Sequence, residues 1–267
     1  MSIDINNFCE KYKLYQEDAI QKVQLQHRFQ LAKAFEIKEG MRVLEIGCGQ
    51  GDMTVVLADQ VGASGHVTAI DVASGEYGAP LTLSQAHEKI KNTKLGERIS
   101  FHLETDFLTF PVEEHYDCVV FAHSSWYFHS PEMLSSYFEK VRMISSKLLF
   151  AEWDVHYTKI SQRGHFCAVT LLALHSALTE NDGNIQHVFS RQEIIKLLEV
   201  AGFTIQKEDV VASSYLQDGQ WEIDYASEVY REFSTDSTQF HTLATSLYHM
   251  MNESVKDSLD TFVVVAM

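Results

Sequence analysis

Apolar and polar positions change their spacing along this chain, and each change marks an element. Five short runs are mostly apolar rather than alternating: Arg42 to Ile46 (RVLEI), His66 to Ile70 (HVTAI), Ile99 to Leu103, Asp117 to Ala122 (DCVVFA) and Lys147 to Glu152 (KLLFAE). Continuous apolar character over such a length predicts strands covered on both faces. Helix-period stretches separate them. Tyr15 to Phe35 places Ile20, Val23, Leu25, Phe29, Leu31 and Phe35 at helical spacing, and further helices are expected from about Met53 to Gln60 and from Leu83 to Asn92. A fourth, from Pro131 to about Ile144, has Ser130 as its cap and proline in its first turn.

Beyond the fifth run the alternation breaks. Ile160 to Leu178 is apolar on most sides, which suits a helix that covers a pocket, a core helix or a homodimer interface. Ser190 to Ala201 opens with SRQE, a capping box, and is stopped by Gly202. Thr204 to Val211 reads as a strand, Glu222 to Phe233 and Ser237 to Ser254 as helices, and Thr261 to Ala266 (TFVVVA) as a final strand.

Alternating strands and helices over the first 150 residues predict an α/β fold whose sheet is parallel with right-handed crossovers. In such a sheet ligands bind beyond the carboxyl ends of the strands. The loops after Ile46, Ile70, Ala122 and Glu152 are therefore where chemistry is expected.

Composition narrows the setting. The 267 residues are 45% hydrophobic and 22% charged, ordinary for a globular chain that buries a core unaided. Cys9, Cys48, Cys118 and Cys167 form no CxxC pair, so neither a zinc site nor a disulfide framework is indicated, and free thiols fit a cytoplasmic protein. The start, MSIDINNFCEKYKLY, lacks a signal-peptide core, and no apolar run reaches membrane-spanning length. The net charge is −16, with fifteen acids against five bases between Glu180 and Asp260. That surface repels phosphates and argues against a nucleic acid substrate. No histidine or cysteine cluster predicts a metal.

The strongest motif is VLEIGCGQGD, Val43 to Asp52. A strand runs directly into Gly47, Gly49 and Gly51, and a helix follows, so backbone N–H groups and a positive dipole end face the loop. Asp71 ends the next strand, where a carboxylate can accept from ribose hydroxyls. An adenosine-containing ligand follows, with a ligand-free βα turn as the alternative. Dinucleotide folds use GxGxxG, whereas this loop is GxGxG preceded by Glu45, an acid suited to an ammonium rather than a pyrophosphate.

The set resembles motif I of the class I S-adenosylmethionine-dependent methyltransferases, and the resemblance runs from Tyr15 to the last strand. It implies a Rossmann-like, seven-stranded, mostly parallel sheet with helices on both faces, an antiparallel last strand, and helical insertions over the active site. It implies a single domain, 1–267: an N-terminal helical lid (1–36), a cofactor-binding core (37–155), and insertions at 156–203 and 219–259. S-adenosylmethionine would be held at its methionyl end by Glu45, Gly47, Cys48, Gly49 and Gly51, and at its ribose by Asp71 with Val72 beside the adenine. Asp106 and Phe107 would meet the adenine, and Ala122 and His123 would close the methionyl side. The loop from Ala73 to Thr82 is longer than the pattern expects, so Gly75, Glu76, Tyr77 and Gly78 are free to fold over cofactor or substrate.

The acceptor side is read from the residues. His123 is either a general base or a hydrogen-bonded prop for its loop. Trp126 and Tyr127 form an aromatic wall or part of the core. Glu152 binds an amine, acts as a base, or pairs structurally, with Trp153 beside it. His165, opening the apolar helix, and Tyr15, on the N-terminal helix, are lid candidates. These readings favour in-line methyl transfer to a small molecule, with similarity to quinone and small-metabolite methyltransferases and, more distantly, to cyclopropane-forming relatives. Methylation of a protein, or a module that holds the cofactor without reacting, are the alternatives.

Overall fold

The computed structural model describes residues 4–112, 115–253 and 255–267. Ser254, the expected end of the last helix, and the first three residues of the expected N-terminal lid lie outside them. The chain opens with α1 (Ile5–Tyr12) and α2 (Ala19–Phe35). The alternating core follows: β1 (Arg42–Ile46), α3 (Asp52–Val61), β2 (His66–Ile70), α4 (Leu83–Lys91), β3 (Ile99–His102), β4 (Cys118–Ala122), α5 (Pro131–Ile144) and β5 (Leu148–Trp153). Then come α6 (Arg163–Leu178), α7 (Arg191–Val200), β6 (Ile205–Val211), α8 (Asp218–Glu232), α9 (Thr238–Asn252) and β7 (Thr261–Ala266).

One seven-stranded sheet runs through the chain in the order β3-β2-β1-β4-β5-β7-β6. The first five strands pair in parallel, and β7 is antiparallel to both β5 and β6. Strand order reverses between β1 and β4, which opens the crevice for a ligand.

The apolar runs are explained by burial on both faces. Leu44, Ile46, Val119, Phe121, Leu148, Phe150, Phe262 and Val264 pack into one core. Their alternate neighbours Val43, Cys118, Val120, Leu149, Ala151 and Val263 pack into the other, against Leu25, Phe29, Val55 and Leu57. The period of two assigns each side chain its face. Each fully buried side chain, such as Phe121 or Phe150, contributes about 1.5–3 kcal/mol.

Two differences from the sequence expectation stand at the N-terminus. The helix expected from Tyr15 begins at Ala19, because the Asp18 side chain accepts from Gln21 N and caps it. Ahead of it, α1 was not expected; Asp4 caps it, and it buries Phe8, Cys9 and Tyr12 beside Phe29. Between the two helices Lys13 and Tyr15 both take positive φ, 55° and 54°, so the linker turns back over the carboxyl end of the sheet. The helix expected over Ile160 to Leu178 consists of a short 3-10 turn followed by α6, which packs on α8 and α9 as a layer of its own. Five consecutive or near-consecutive residues, Cys167, Ala168, Val169, Leu171 and Leu172, are buried there, as a helix enclosed on most sides requires.

Candidate active site

The glycine loop leaves β1 and folds under the end of β2. Gly47 N and Cys48 N both donate to the Ile70 carbonyl, at 2.9 and 3.1 Å. Gly47 has φ +77°, and a Cβ there would lie 2.4 Å from Ser124 Cβ, so only glycine fits. Gly49 has φ +50° but faces open space, with nothing within 4 Å of a built Cβ. Its N–H donates to Asp71 Oδ2 at 2.8 Å, while Asp71 Oδ1 accepts from Ala73 N at 2.9 Å. Two backbone donors thus fix the Asp71 carboxylate at the cleft.

A cleft of about 430 Å³ opens over this loop, within the range of small-ligand sites. Asp71, Val72, Thr105 and Phe107 line one end. Phe107 is buried, and Val72 is 62% exposed at the rim. Asp106 sits between them; its Oδ1 accepts from the Tyr137 hydroxyl at 2.6 Å and from Leu108 N at 3.0 Å. The far wall is the segment after α6, where Asp182, Gly183 and Gln186 reach the cleft. That segment is tied down by Gln186 N and His187 N, which both donate to the Trp126 carbonyl. The Tyr77 hydroxyl donates to Asn184 Oδ1 at 3.0 Å, so the long loop after β2 meets this segment across the mouth.

His123, at the end of β4, forms part of the floor with φ +55°. Both of its ring nitrogens face protein: Nδ1 lies 3.2 Å from Glu152 Oε1 and Nε2 lies 3.2 Å from His27 Nε2. Glu152 also accepts from Ser125 N, Ser125 Oγ and Trp153 N, at 3.0, 2.8 and 3.0 Å. Burial pushes its carboxyl up to about 7 against those bonds. Burial and the positive charge of Arg28 hold His123 well below the usual imidazole value, and His27 falls likewise. Trp153 lies beneath the floor, packed against His123 (4.3 Å between centroids) and His165 (5.4 Å).

A second, larger groove of about 1740 Å³ borders the cleft at Gly49, Tyr77 and Tyr127 and runs beneath the α1–α2 linker. α2 contributes Gln24 and Arg28 to it, α3 contributes Asp52, and α8 contributes Asp218 and Trp221. Gln24 Nε2 donates to Asp218 Oδ2 at 2.8 Å. Among the described residues, Gln24 Oε1, Arg28 Nη1, Asp52 Oδ1 and Glu222 Oε2 are buried without a hydrogen-bond partner. Burial raises the Asp52 carboxyl, Arg28 opposes that, and the Tyr15 hydroxyl lies against it. Glu45 is buried behind the loop, where Thr54 Oγ1 donates to it at 2.6 Å; burial pushes its carboxyl to about 8. Cys48 is buried too, and its thiol is pushed well up, which suits a backbone contributor rather than a reactive group.

The structure brings Gly47, Gly49, Asp71, Val72, Phe107 and His123 together around the cleft, with Tyr77 and Tyr127 at its junction with the groove. Glu45, Cys48, Gly51, Asp106 and Ala122 stand behind these as supports. Among the residues expected to meet the acceptor, Trp126, Trp153 and His165 line neither space. Trp126 is 4% exposed beneath the segment it anchors, and His165 is fully buried with Nδ1 accepting from Leu259 N at 2.9 Å. The sequence reading missed Gln24, Arg28, Asp52 and Asp218, which line the groove. Their signal was the polar set Gln24, His27 and Arg28 on a helix that otherwise buries Leu25, Phe29 and Leu31. Among the described residues no group of three or more His, Cys, Asp or Glu side chains is placed to hold a metal ion, and no helix is long and apolar enough to cross a membrane.

Comparison with known proteins agrees with this geometry. A family model described as a methyltransferase domain matches residues 15–208. The crystal structure of a cyclopropane-fatty-acyl-phospholipid synthase-like protein from Lactobacillus casei ATCC 334 superposes with a TM-score of 0.87 and 36% identity, covering 93% of this chain and 92% of that one. Methyltransferase phomM of Diaporthe leptostromiformis is 32% identical over 37% of this chain and 30% of its own. Demethylmenaquinone methyltransferase of Listeria innocua is 28% identical over 34% of this chain and 35% of its own. The chain thus spans about a third of the length of these curated relatives.

Proposed function

The chain belongs to the methyltransferase domain family, and on that premise we propose that it transfers a methyl group from S-adenosylmethionine to a small-molecule acceptor. The observation that carries this reading is the Asp71 carboxylate, fixed by Gly49 N–H and Ala73 N–H at the edge of a glycine-floored cleft. The cleft and the groove that borders it fit the cofactor at three points. Asp71 accepts from ribose hydroxyls. Gly49 leaves open the space a side chain would fill. Arg28 offers a buried, unpartnered N–H to a carboxylate at the methionyl end. Val72, Thr105 and Phe107 enclose the adenine, with Asp106 behind them. When bound, S-adenosylmethionine supplies an electrophilic methyl group on a positively charged sulfur.

The chain's own residues supply position and exclusion of water, which accounts for most of the acceleration such a transfer needs. Tyr77 and Asn184 close the mouth. Tyr127 exposes half its surface, and that surface faces the cavity where the acceptor meets the methyl group. His123 and Glu152 are positioning residues in this account: each of His123's nitrogens already has a protein partner, and Glu152 pins the turn after β4 through Ser125. Neither is free to take a proton from an acceptor in this arrangement.

The test is to incubate the full-length protein with methyl-labelled S-adenosylmethionine and a small-metabolite extract supplemented with lysate protein. Label is expected in the extractable metabolites. Label confined to precipitated protein would favour a protein methyltransferase. Cofactor binding without label in either pool would favour a non-catalytic module.

A further inference from the structure

We propose that His87, which lines neither the cleft nor the groove, positions the Gly49–Gln50 peptide of the glycine loop and thereby sets the loop's hold on the methionyl end of the cofactor. The inference rests on the methyltransferase reading and adds to that site a positioning residue that touches no ligand.

The loop contains a tight turn. Gly51 N donates to the Cys48 carbonyl at 2.9 Å, so Gly49 and Gln50 are its two central residues. Only the first of them takes positive φ, +50°, the pattern of a type II′ turn. The peptide between the central residues makes no bond inside such a turn, so which way it faces is decided from outside. His87, on α4, decides it: its Nε2 lies 2.7 Å from the Gly49 carbonyl oxygen. A peptide is planar and trans, so holding that carbonyl on α4 turns the Gln50 N–H of the same plane to the opposite side. Gly49 borders both spaces, and Gln50 borders the groove to which Arg28 contributes. The peptide therefore lies where the methionyl end would pass from one space to the other. Gly49 N–H belongs to the preceding peptide and keeps its bond to Asp71, so the ribose side does not depend on His87.

The histidine is suited to this one contact. A carbonyl only accepts, so the ring's N–H sits on Nε2. Burial holds the imidazole below its usual value against the Gly49 bond, so at neutral pH the ring has no second N–H. Nδ1 is then an acceptor left buried without a partner. Such an orphan is costly, and a phenyl ring would fill the same space without it, so packing alone does not account for a histidine here. The ring is 2% exposed and stacks on Phe101, with 3.8 Å between centroids and 17° between planes, which fixes its tilt. The loop meets the same platform again two residues later: a Cβ on Gly51 would lie 2.7 Å from Ile90 Cδ1 and 3.4 Å from Phe101 Cζ.

The experiment is titration calorimetry of the full-length protein with S-adenosylhomocysteine and with 5′-methylthioadenosine, which lacks the amino acid end. His87→Phe keeps a ring to stack on Phe101 and removes the donor. It is expected to lose about tenfold in S-adenosylhomocysteine affinity, the worth of one hydrogen bond, while 5′-methylthioadenosine stays within about threefold. His87→Gln places an N–H donor the same number of bonds from the backbone and should recover most of the loss; His87→Met, of equal length without the donor, should not. The contrast between His87→Gln and His87→Met carries the test by itself if His87→Phe does not fold. The proposal is overturned by unchanged S-adenosylhomocysteine affinity in His87→Phe, by equal losses for the two ligands, or by equal affinities in His87→Gln and His87→Met. Wild-type protein that fails to take up S-adenosylhomocysteine at all would overturn the methyltransferase reading itself, a separate failure.

Discussion

Replacing Asp71 by alanine removes a carboxylate whose two oxygens are each already held by a backbone N–H, at 2.8 and 2.9 Å. In the proposed complex the same carboxylate accepts from the two ribose hydroxyls. A hydrogen bond to a charged group contributes about 1.5–3 kcal/mol, so losing two costs at least about 3 kcal/mol, or roughly 150-fold in affinity. Releasing Gly49 N–H also loosens the loop that floors the cleft, which adds in the same direction. Asp71→Asn keeps one acceptor oxygen without the charge and should lose roughly 10-fold. Titration calorimetry with S-adenosylhomocysteine avoids turnover, and circular dichroism reports the fold. An Asp71→Ala protein that is folded and binds within threefold of wild type would refute the assignment of Asp71 to the ribose.

Three further outcomes follow from the same geometry. Gly49→Ala places a Cβ in open space at φ +50°, so it should cost only about 1–2 kcal/mol of stability; S-adenosylhomocysteine affinity should fall more than tenfold, and unchanged affinity would show that the ligand does not approach this backbone. His123→Ala should leave that affinity within threefold while lowering the melting temperature, because Glu152 and His27 lose a buried partner; a large loss of affinity without loss of stability would reverse the positioning role. Stability should fall as pH rises from about 6.5 to 8.5. The folded-state carboxyls of Glu45 and Glu152 are raised to about 8 and about 7, so the folded state holds protons the unfolded chain has already released. The buried histidines are lowered, and their contribution is complete once pH exceeds the unfolded value of about 6.5. Glu45 alone amounts to at most about 2 kcal/mol across that window; thermal melts should show Glu45→Gln flattening the slope, and a melting temperature that climbs with pH in the wild type would contradict it.

The sheet was legible because β1, β2, β4 and β5 are buried on both faces and so carry unbroken apolar runs. The glycine loop was legible because Gly47 is required by contact with Ser124, a constraint that leaves its mark on the residue type. The N-terminal pair of helices was not. α1 buries only Phe8, Cys9 and Tyr12, too few to show a period, and the Asp18 cap was hidden inside an apparently continuous helix. Arg28 and Gln24 were not singled out, because nothing local says that they line a groove together with the linker and α8. The aromatic residues after β4 and at the end of β5 were open to two readings. Trp126 was open to either an aromatic wall or the core, and Trp153 stood beside Glu152 as a substrate candidate; the segment after α6 covers the first and a histidine layer encloses the second. Burial of those rings is a tertiary outcome that no local pattern encodes.

The central claim is that a GxGxG loop and Asp71 form a cradle for a sulfonium amino acid joined to adenosine, and competition during equilibrium dialysis addresses it most directly. Radiolabelled S-adenosylmethionine is predicted to be retained at one molecule per chain, displaced by S-adenosylhomocysteine and unaffected by excess NAD or ATP. No saturable retention, or displacement by the dinucleotide at comparable concentration, would contradict the account.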